Sequence, residues 1–264
     1  LALRRSEDFL VDELFAAATR HGAPILKARF PRAWLDVNRE PYELDPAMFA
    51  TPLPAFANTR SARVTNGLGT IARIVAENEE IYAAPLDTGE ALARIDHVYK
   101  PYHAALRGLL AETIVEFGYG ILVDCHSMPS AHAVSRVGGL PFSGRRTEPL
   151  RADFVLGDRY GSACSPVLTH LVANILRDLG YRVAVNKPYA GGFITEHYGR
   201  PVNGLHALQI EVNRALYMDE ARLEKSTGFE ALAQDIETFI GRLAAETAND
   251  HTHAFAAAAP LAAE

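Results

Sequence analysis

Three short stretches of this chain carry side chains with more chemistry than a fold requires. His126 ends the run Gly120-Ile-Leu-Val-Asp-Cys-His, two residues after Asp124 and just before Ser127-Met-Pro, where a loop must begin. A neutral imidazole there can ligate a metal ion while the neighbouring acid orients its other nitrogen. A hydrogen-bonded structural histidine is the plain alternative. Glu211 interrupts the apolar run Ala207-Leu-Gln-Ile-Glu-Val, where a carboxylate without a partner is costly. Alternation puts Gln209, Glu211 and Asn213 on one face of a strand. Either that face lines a site in which Glu211 takes a proton from an attacking water, or the strand is a solvated edge. Arg32, Asn38 and Arg39 sit in a stretch with no periodicity to explain them as a helix or strand face. Guanidiniums so placed can grip a carboxylate through two parallel hydrogen bonds or hold an oxyanion, although loops commonly carry surface arginines. Cations, an imidazole and a carboxylate together are the equipment of metal-assisted amide hydrolysis on a small acidic substrate.

The elements that must position these groups alternate in type. Ser6 to Gly22 reads as a helix with Ser6 as N-cap and glycine as stop, and a strand is expected over Ala23 to Phe30. Residues 31 to 87 are rich in Pro, Asn and Arg and read as a long functional loop region rather than core. Thr88 opens a helical pattern that runs through Ile114, with a kink expected near Pro101. Gly120 to His126 is an apolar run that turns polar at its end, as a buried parallel strand does when it delivers residues to the carboxyl edge of a sheet. Ala152 to Gly157, Tyr181 to Asn186 and His206 to Asn213 read as further strands. Ser165 to Leu179 reads as a helix stopped by Gly180, and Glu230 to Glu246 as a last amphipathic helix. This is an α/β pattern, and no repeat or linker divides it, so a single domain over 1–264 is expected.

Bulk properties narrow the partners. The chain has 264 residues, 48% hydrophobic and 22% charged, with a net charge of −6. This is a globular composition whose acidity argues against nucleic acid or an anionic membrane surface as partner. An anionic substrate must then be met by locally placed arginines. Two cysteines, Cys125 and Cys164, make no disulfide framework and suit a reducing cytoplasm. No apolar run approaches the roughly 18 to 20 residues of a membrane span. The chain opens at Leu1 without a methionine, so a preceding segment is expected.

The remaining motifs are weaker. Asn186-Lys-Pro-Tyr-Ala-Gly191-Gly192-Phe-Ile-Thr-Glu-His197 lacks the phosphate-loop pattern, and no helix of apolar periodicity is expected after it. A mobile loop closing over substrate fits it, as does a tight turn. His21, His97, His170, His251 and His253 are expected at the surface, whereas His103, His132, His197 and His206 stay open.

The strings Pro31-Arg-Ala-Trp-Leu-Asp-Val-Asn-Arg, Gly67-Leu-Gly-Thr-Ile, Pro101-Tyr-His-Ala-Ala-Leu, Val123-Asp-Cys-His-Ser-Met-Pro, Asn186-Lys-Pro-Tyr-Ala-Gly-Gly-Phe-Ile-Thr and Ala207-Leu-Gln-Ile-Glu-Val-Asn-Arg-Ala-Leu-Tyr-Met closely resemble the N-formylglutamate amidohydrolases. The resemblance runs in order from about Ser6 to Glu220. It implies a zinc-carboxypeptidase-like α/β fold of three layers, α/β/α, with a central mixed and largely parallel sheet.

The resemblance also implies roles. One Zn²⁺ per chain is expected, with His126 as a ligand and Asp8 as the acidic ligand, Glu7 being the runner-up. Glu211 is implied as the base and Arg32 as the cation on the scissile carbonyl. Asn38 and Arg39 would clamp a substrate carboxylate, and Tyr189, Gly191, His197 and Arg214 are expected to line the substrate. The family's Pro-His-Ser-Gly string, which carries a further ligand, is not in this sequence. The implied reaction is hydrolysis of N-formyl-L-glutamate to formate and glutamate, a step of histidine breakdown in the cytoplasm. Hydrolysis of another N-acyl amino acid, and a non-catalytic ligand-binding relative, are the alternatives. The oligomeric state stays open.

Overall fold

The computed structural model describes residues 2–75, 79–132, 134–135 and 150–248, so the side chain of His132 and the alanine-rich tail lie outside the described residues. The chain forms two compact units. The first comprises Leu1–Phe9, Leu26–Thr113 and Gly192–Ile194, and the second Leu10–Ile25, Ile114–Gly191 and Thr195–Glu264.

The first unit is built largely without regular elements. Residues 31 to 87 contain a short 3₁₀ turn at Pro46–Met48 and one helical turn at Ala62–Thr65. Their backbone groups are satisfied instead by isolated bridges, Glu43 with Asn58 and Phe49 with Leu86, and by loop-to-loop bonds such as Asp36 N donating to Thr70 O at 2.7 Å. The expectation that this segment is not core is corrected. Leu35, Val37, Leu44, Met48 and Ile71 are buried together with Ala91, Ile95 and Tyr99. Apolar burial holds a coil as firmly as a helix once its backbone polar groups find partners. From Asp87, whose carboxylate accepts from Glu90 N at 3.0 Å as an N-cap, the chain enters the helix Thr88–Arg94. A π-turn at Ile95–Tyr99 leads into the helix Lys100–Phe117. The irregularity falls immediately before Pro101, which has no N–H to give the preceding turn, so the expected kink takes the form of a widened turn.

The second unit holds the sheet. Among the described residues there are eight strands: β1 Gly120–Met128, β2 Val134–Ser135, β3 Leu150–Arg151, β4 Phe154–Gly157, β5 Val183–Val185, β6 Leu205–Asn213, β7 Met218–Asp219 and β8 Glu224–Lys225. The main sheet has the order β1-β6-β4-β5. β1 and β6 run parallel, as do β4 and β5, while β4 and β6 are antiparallel. The sheet is therefore mixed and largely parallel, of the α/β class that the sequence indicates. Ser165 caps the helix Pro166–Asp178, its hydroxyl accepting from Leu168 N. That helix buries Leu168, Val172, Ile175 and Leu176 at the spacing of one helical stripe. The helix Phe229–Ala248 buries Leu232, Ile236, Phe239, Ile240 and Leu243 in the same way.

Several expectations near the start are corrected. Instead of one helix from Ser6, the chain forms a turn at Ala2–Arg5, another at Val11–Leu14 and a 3₁₀ stretch at Ala16–His21. Ser6 does not cap a following helix; its hydroxyl donates back to Leu3 O at 2.7 Å. Residues 23 to 29 form no strand and are largely exposed. A helix does follow the glycine pair, at Phe193–Tyr198. No described helix is long and apolar enough to cross a membrane.

Candidate active site

The singled-out residues fall into two sets, one in each compact unit. In the second unit the carboxyl halves of β1 and β6 lie side by side. The parallel register sets Asp124 beside Gln209 and His126 beside Glu211. Because side chains alternate along each strand, these four share one face. On β1, His126 Nε2 stands 3.0 Å from Asp124 Oδ1. On β6, Gln209 Nε2 donates to Glu211 Oε1 at 2.8 Å. Each strand thus presents one reactive group held by the side chain two residues earlier. Glu211 is only 7% exposed, which rules out the solvated-edge reading of this strand.

Just beyond, Asn213 caps the turn Arg214–Leu216 by accepting from Ala215 N, and its amide donates to Ala152 O at 3.1 Å. The buried Arg214 donates through Nε to Ser127 Oγ at 3.0 Å, tying the ends of β1 and β6. Tyr189 packs against Met128, Ala152 and Val155. His197 is exposed, with its ring edge-on to Tyr198 at 4.8 Å. Gly191 has a φ of +120°, and a Cβ there would meet Thr195 Oγ1 at 2.5 Å.

In the first unit the cations gather around a carboxylate. Buried Asp36 accepts from Asn38 N at 2.9 Å and from Arg32 Nη2 at 3.0 Å, and its Oδ2 lies 3.5 Å from Arg39 Nη2. Burial alone would raise the pKa of this carboxyl. Arg32 and Arg39, with the Asn38 N–H, outweigh that and hold it below the usual carboxylate range. Arg32 also donates to Asp8 at 2.8 Å, so the residue expected on the scissile carbonyl and the acid expected on the metal are directly paired. Glu7, the other acid considered, lies 3.9 Å from Arg4, and burial raises its pKa against the pull of that arginine.

Arg39 is held on all three nitrogens, since Nε donates to Leu68 O at 3.0 Å and Nη1 to Asn38 O at 2.9 Å while Nη2 faces Asp36. A guanidinium plane fixed in this way is prepared for two-point contact with a carboxylate. Asn38 accepts from Ile194 N at 2.7 Å. A Cβ on Gly192 would lie 2.5 Å from the Asn38 amide, so glycine is required there by close approach.

Two histidines that the sequence leaves open are structural. His103 is buried with Nε2 2.9 Å from Val37 O, and His206 Nδ1 accepts from Ser165 N at 3.1 Å. His21, His97 and His170 are exposed, as expected. Asp36 is the functional candidate that sequence reasoning passes over. Its only signal is its spacing, four residues after one arginine and three before another.

The donor set fits one corner of a metal site. His126 with its carboxylate partner is a ligand of the right kind. Among the described residues, however, no group of three or more His, Cys, Asp or Glu could hold a metal ion.

Taken together, these features define an α/β protein with a mixed sheet whose strand ends carry an oriented imidazole and a buried carboxylate. The sequence model of the N-formylglutamate amidohydrolases matches residues 1–218. The N-formylglutamate deformylase of Pseudomonas putida is 30% identical over 239 residues, which is 89% of this chain and 79% of that protein. The N-formylglutamate deformylase of Pseudomonas aeruginosa is 30% identical over 216 residues, covering 81% of this chain and 71% of that protein. The crystal structure of N-formylglutamate amidohydrolase from Ralstonia eutropha JMP134 superposes with a TM-score of 0.83 at 39% identity, over 93% of this chain and 85% of that one. The chain belongs to the N-formylglutamate amidohydrolase family.

Proposed function

We propose that this protein hydrolyses N-formyl-L-glutamate to formate and L-glutamate. The observation that carries the reading is the buried, oriented Glu211 carboxylate beside the Asp124–His126 pair, in a member of a family with deformylases among its relatives. Glu211 accepts a proton from water as the water oxygen bonds to the formyl carbon. The same proton passes to the amide nitrogen as the carbon–nitrogen bond breaks, so glutamate leaves as the amine and formate as the acid. Arg32 is assigned to the oxyanion, where its charge matters most as negative charge develops. Arg39 and Asn38 are assigned to a substrate carboxylate, and Tyr189, Gly191, His197 and Arg214 to the surroundings of the substrate. A place in histidine breakdown and in the cytoplasm belongs to the same reading; the free thiols of Cys125 and Cys164 are consistent with the latter.

Zinc, held through His126 with Asp8 as a candidate co-ligand, is part of the proposal, and when bound it would supply a Lewis acid and an acidified water. The described residues do not complete such a site, so no step above is routed through it. His126→Ala should lower both zinc content and activity of the purified protein. Zinc content equal to wild type, measured by elemental analysis, would make His126 a structural histidine.

Substrate class is tested at Arg39. Arg39→Lys keeps the charge but loses the planar fork. With N-formyl-L-glutamate it should raise KM about tenfold or more and leave kcat within a fewfold, because the clamp acts in ground and transition states alike. With neutral N-formyl amino acids the same change should matter little. Equal losses on acidic and neutral substrates would make Arg39 a support for the Leu68 loop and remove the carboxylate clamp from the account.

A further inference from the structure

We propose that Gln209 is a positioning residue for the reaction: its amide N–H fixes the orientation of the Glu211 carboxylate. The inference rests on the reading of Glu211 as the base. It is carried by the way side-chain amides are used in this unit.

Three such amides invite comparison. Asn213 is paired at both ends, donating to Ala152 O and accepting from Ala215 N. Asn186 is also paired at both ends, donating to Asp158 Oδ1 and accepting from Asp158 N. These are amides satisfied as parts of the fold. Gln209 differs. It is 5% exposed, its Nε2 donates to Glu211 Oε1 at 2.8 Å, and its Oε1 is buried with no hydrogen-bond partner among the described residues.

A buried acceptor left without a partner carries a desolvation penalty, so a glutamine with no role at this position could be replaced by an apolar side chain at little cost. Here the carbonyl is left over, and the amide cannot turn round, because that would set Oε1 against a carboxylate oxygen. Gln209 is therefore oriented by Glu211 and holds it in return. With Oε1 held by the Gln209 amide, rotation of the carboxylate is restricted.

The flanking strands support this. On β4 the neighbours of Glu211 and Gln209 are Val155 and Gly157, which carry no charge. On β1 the neighbours are His126 and Asp124, which stand 3.0 Å apart. The arrangement repeats on adjacent strands: Asp124 orients His126 and Gln209 orients Glu211, each from two residues earlier.

The test is a mutant cycle read by steady-state kinetics on N-formyl-L-glutamate. Gln209→Met preserves length and removes the donor. It should lower kcat about ten- to hundredfold, the scale on which a misplaced catalytic group costs rate, with KM changed by less than about twofold. In the Glu211→Gln background the same substitution should alter the residual rate by less than about twofold, because the group through which it acts is gone. Gln209→Glu, nearly isosteric, replaces the donor with a like charge and should lower kcat at least as far in a normally folded protein.

A folded Gln209→Met or Gln209→Glu with wild-type kcat would overturn the proposal. So would the same fold-loss with and without Glu211, which marks a structural role. Wild-type turnover by Glu211→Gln itself would instead overturn the assignment of the base, and is read separately from the Gln209 variants.

Discussion

Glu211→Gln should lower kcat for N-formyl-L-glutamate by about 10²- to 10⁴-fold, the range for loss of a general base, and leave KM nearly unchanged. The amide keeps the size and planarity of the side chain, so the buried strand face is preserved, but it cannot take the proton from water. The effect should therefore lie in the chemical step. Binding of N-formyl-L-glutamate, measured by calorimetry on the inactive variant, should stay within a fewfold of the wild-type KM. A variant turning over at the wild-type rate removes Glu211 from the mechanism. A variant that has lost binding as well as turnover assigns Glu211 to the binding of substrate.

The second large effect is expected at a residue assigned no contact with substrate. Asp36 is buried between Arg32 and Arg39, and Asp36→Asn removes the charge that both are set against. Removing one member of a buried ion pair typically destabilises by about 3 to 5 kcal/mol. With Arg32 still 30% exposed in its side chain, the lower end of that range is expected, checked by denaturant unfolding at neutral pH.

The sign of the pH dependence follows. The carboxyl of Asp36 is held below its ordinary pKa in the folded protein. Its contribution is therefore present in full above the usual carboxylate range. It is lost as pH falls through that range towards the lowered folded pKa. The stability gap between wild type and Asp36→Asn should be widest near neutrality and narrow on acidification. A gap that is flat across that window, or that widens in acid, would mean Asp36 is not held ionised by the two arginines.

What could be read from the sequence and what could not divide along physical lines. The strands around His126 and Glu211 were legible because a charge in an apolar run is expensive and demands an explanation. Period-two alternation then placed Gln209 on the same face as Glu211, as β6 bears out. The helix from Ser165 and its stop at Gly180 were readable as local chemistry, whereas the capping role of the Ser165 hydroxyl comes from the structure. The strand expected over Ala23 to Phe30 does not form, because an extended run becomes a strand only when another strand pairs with it, and among the described residues none does. The burial of Leu35, Val37, Leu44 and Ile71 was hidden because a core built from coil leaves no periodic trace. Asp36 was missed for a related reason. Its contacts with Arg32 and Arg39 depend on the path of a loop, and the Asp8 to Arg32 pair spans 24 residues, a separation that carries no signal of its own.

The central claim is most directly tested by mixing the purified protein with N-formyl-L-glutamate and measuring formate and glutamate together over time, with N-acetyl-L-glutamate and N-formyl-L-alanine in parallel. The account predicts release of formate and glutamate in equal amounts, at a kcat/KM well above that for either comparison compound. Faster turnover of N-acetyl-L-glutamate or N-formyl-L-alanine, or tight binding of N-formyl-L-glutamate without release of formate, would contradict it.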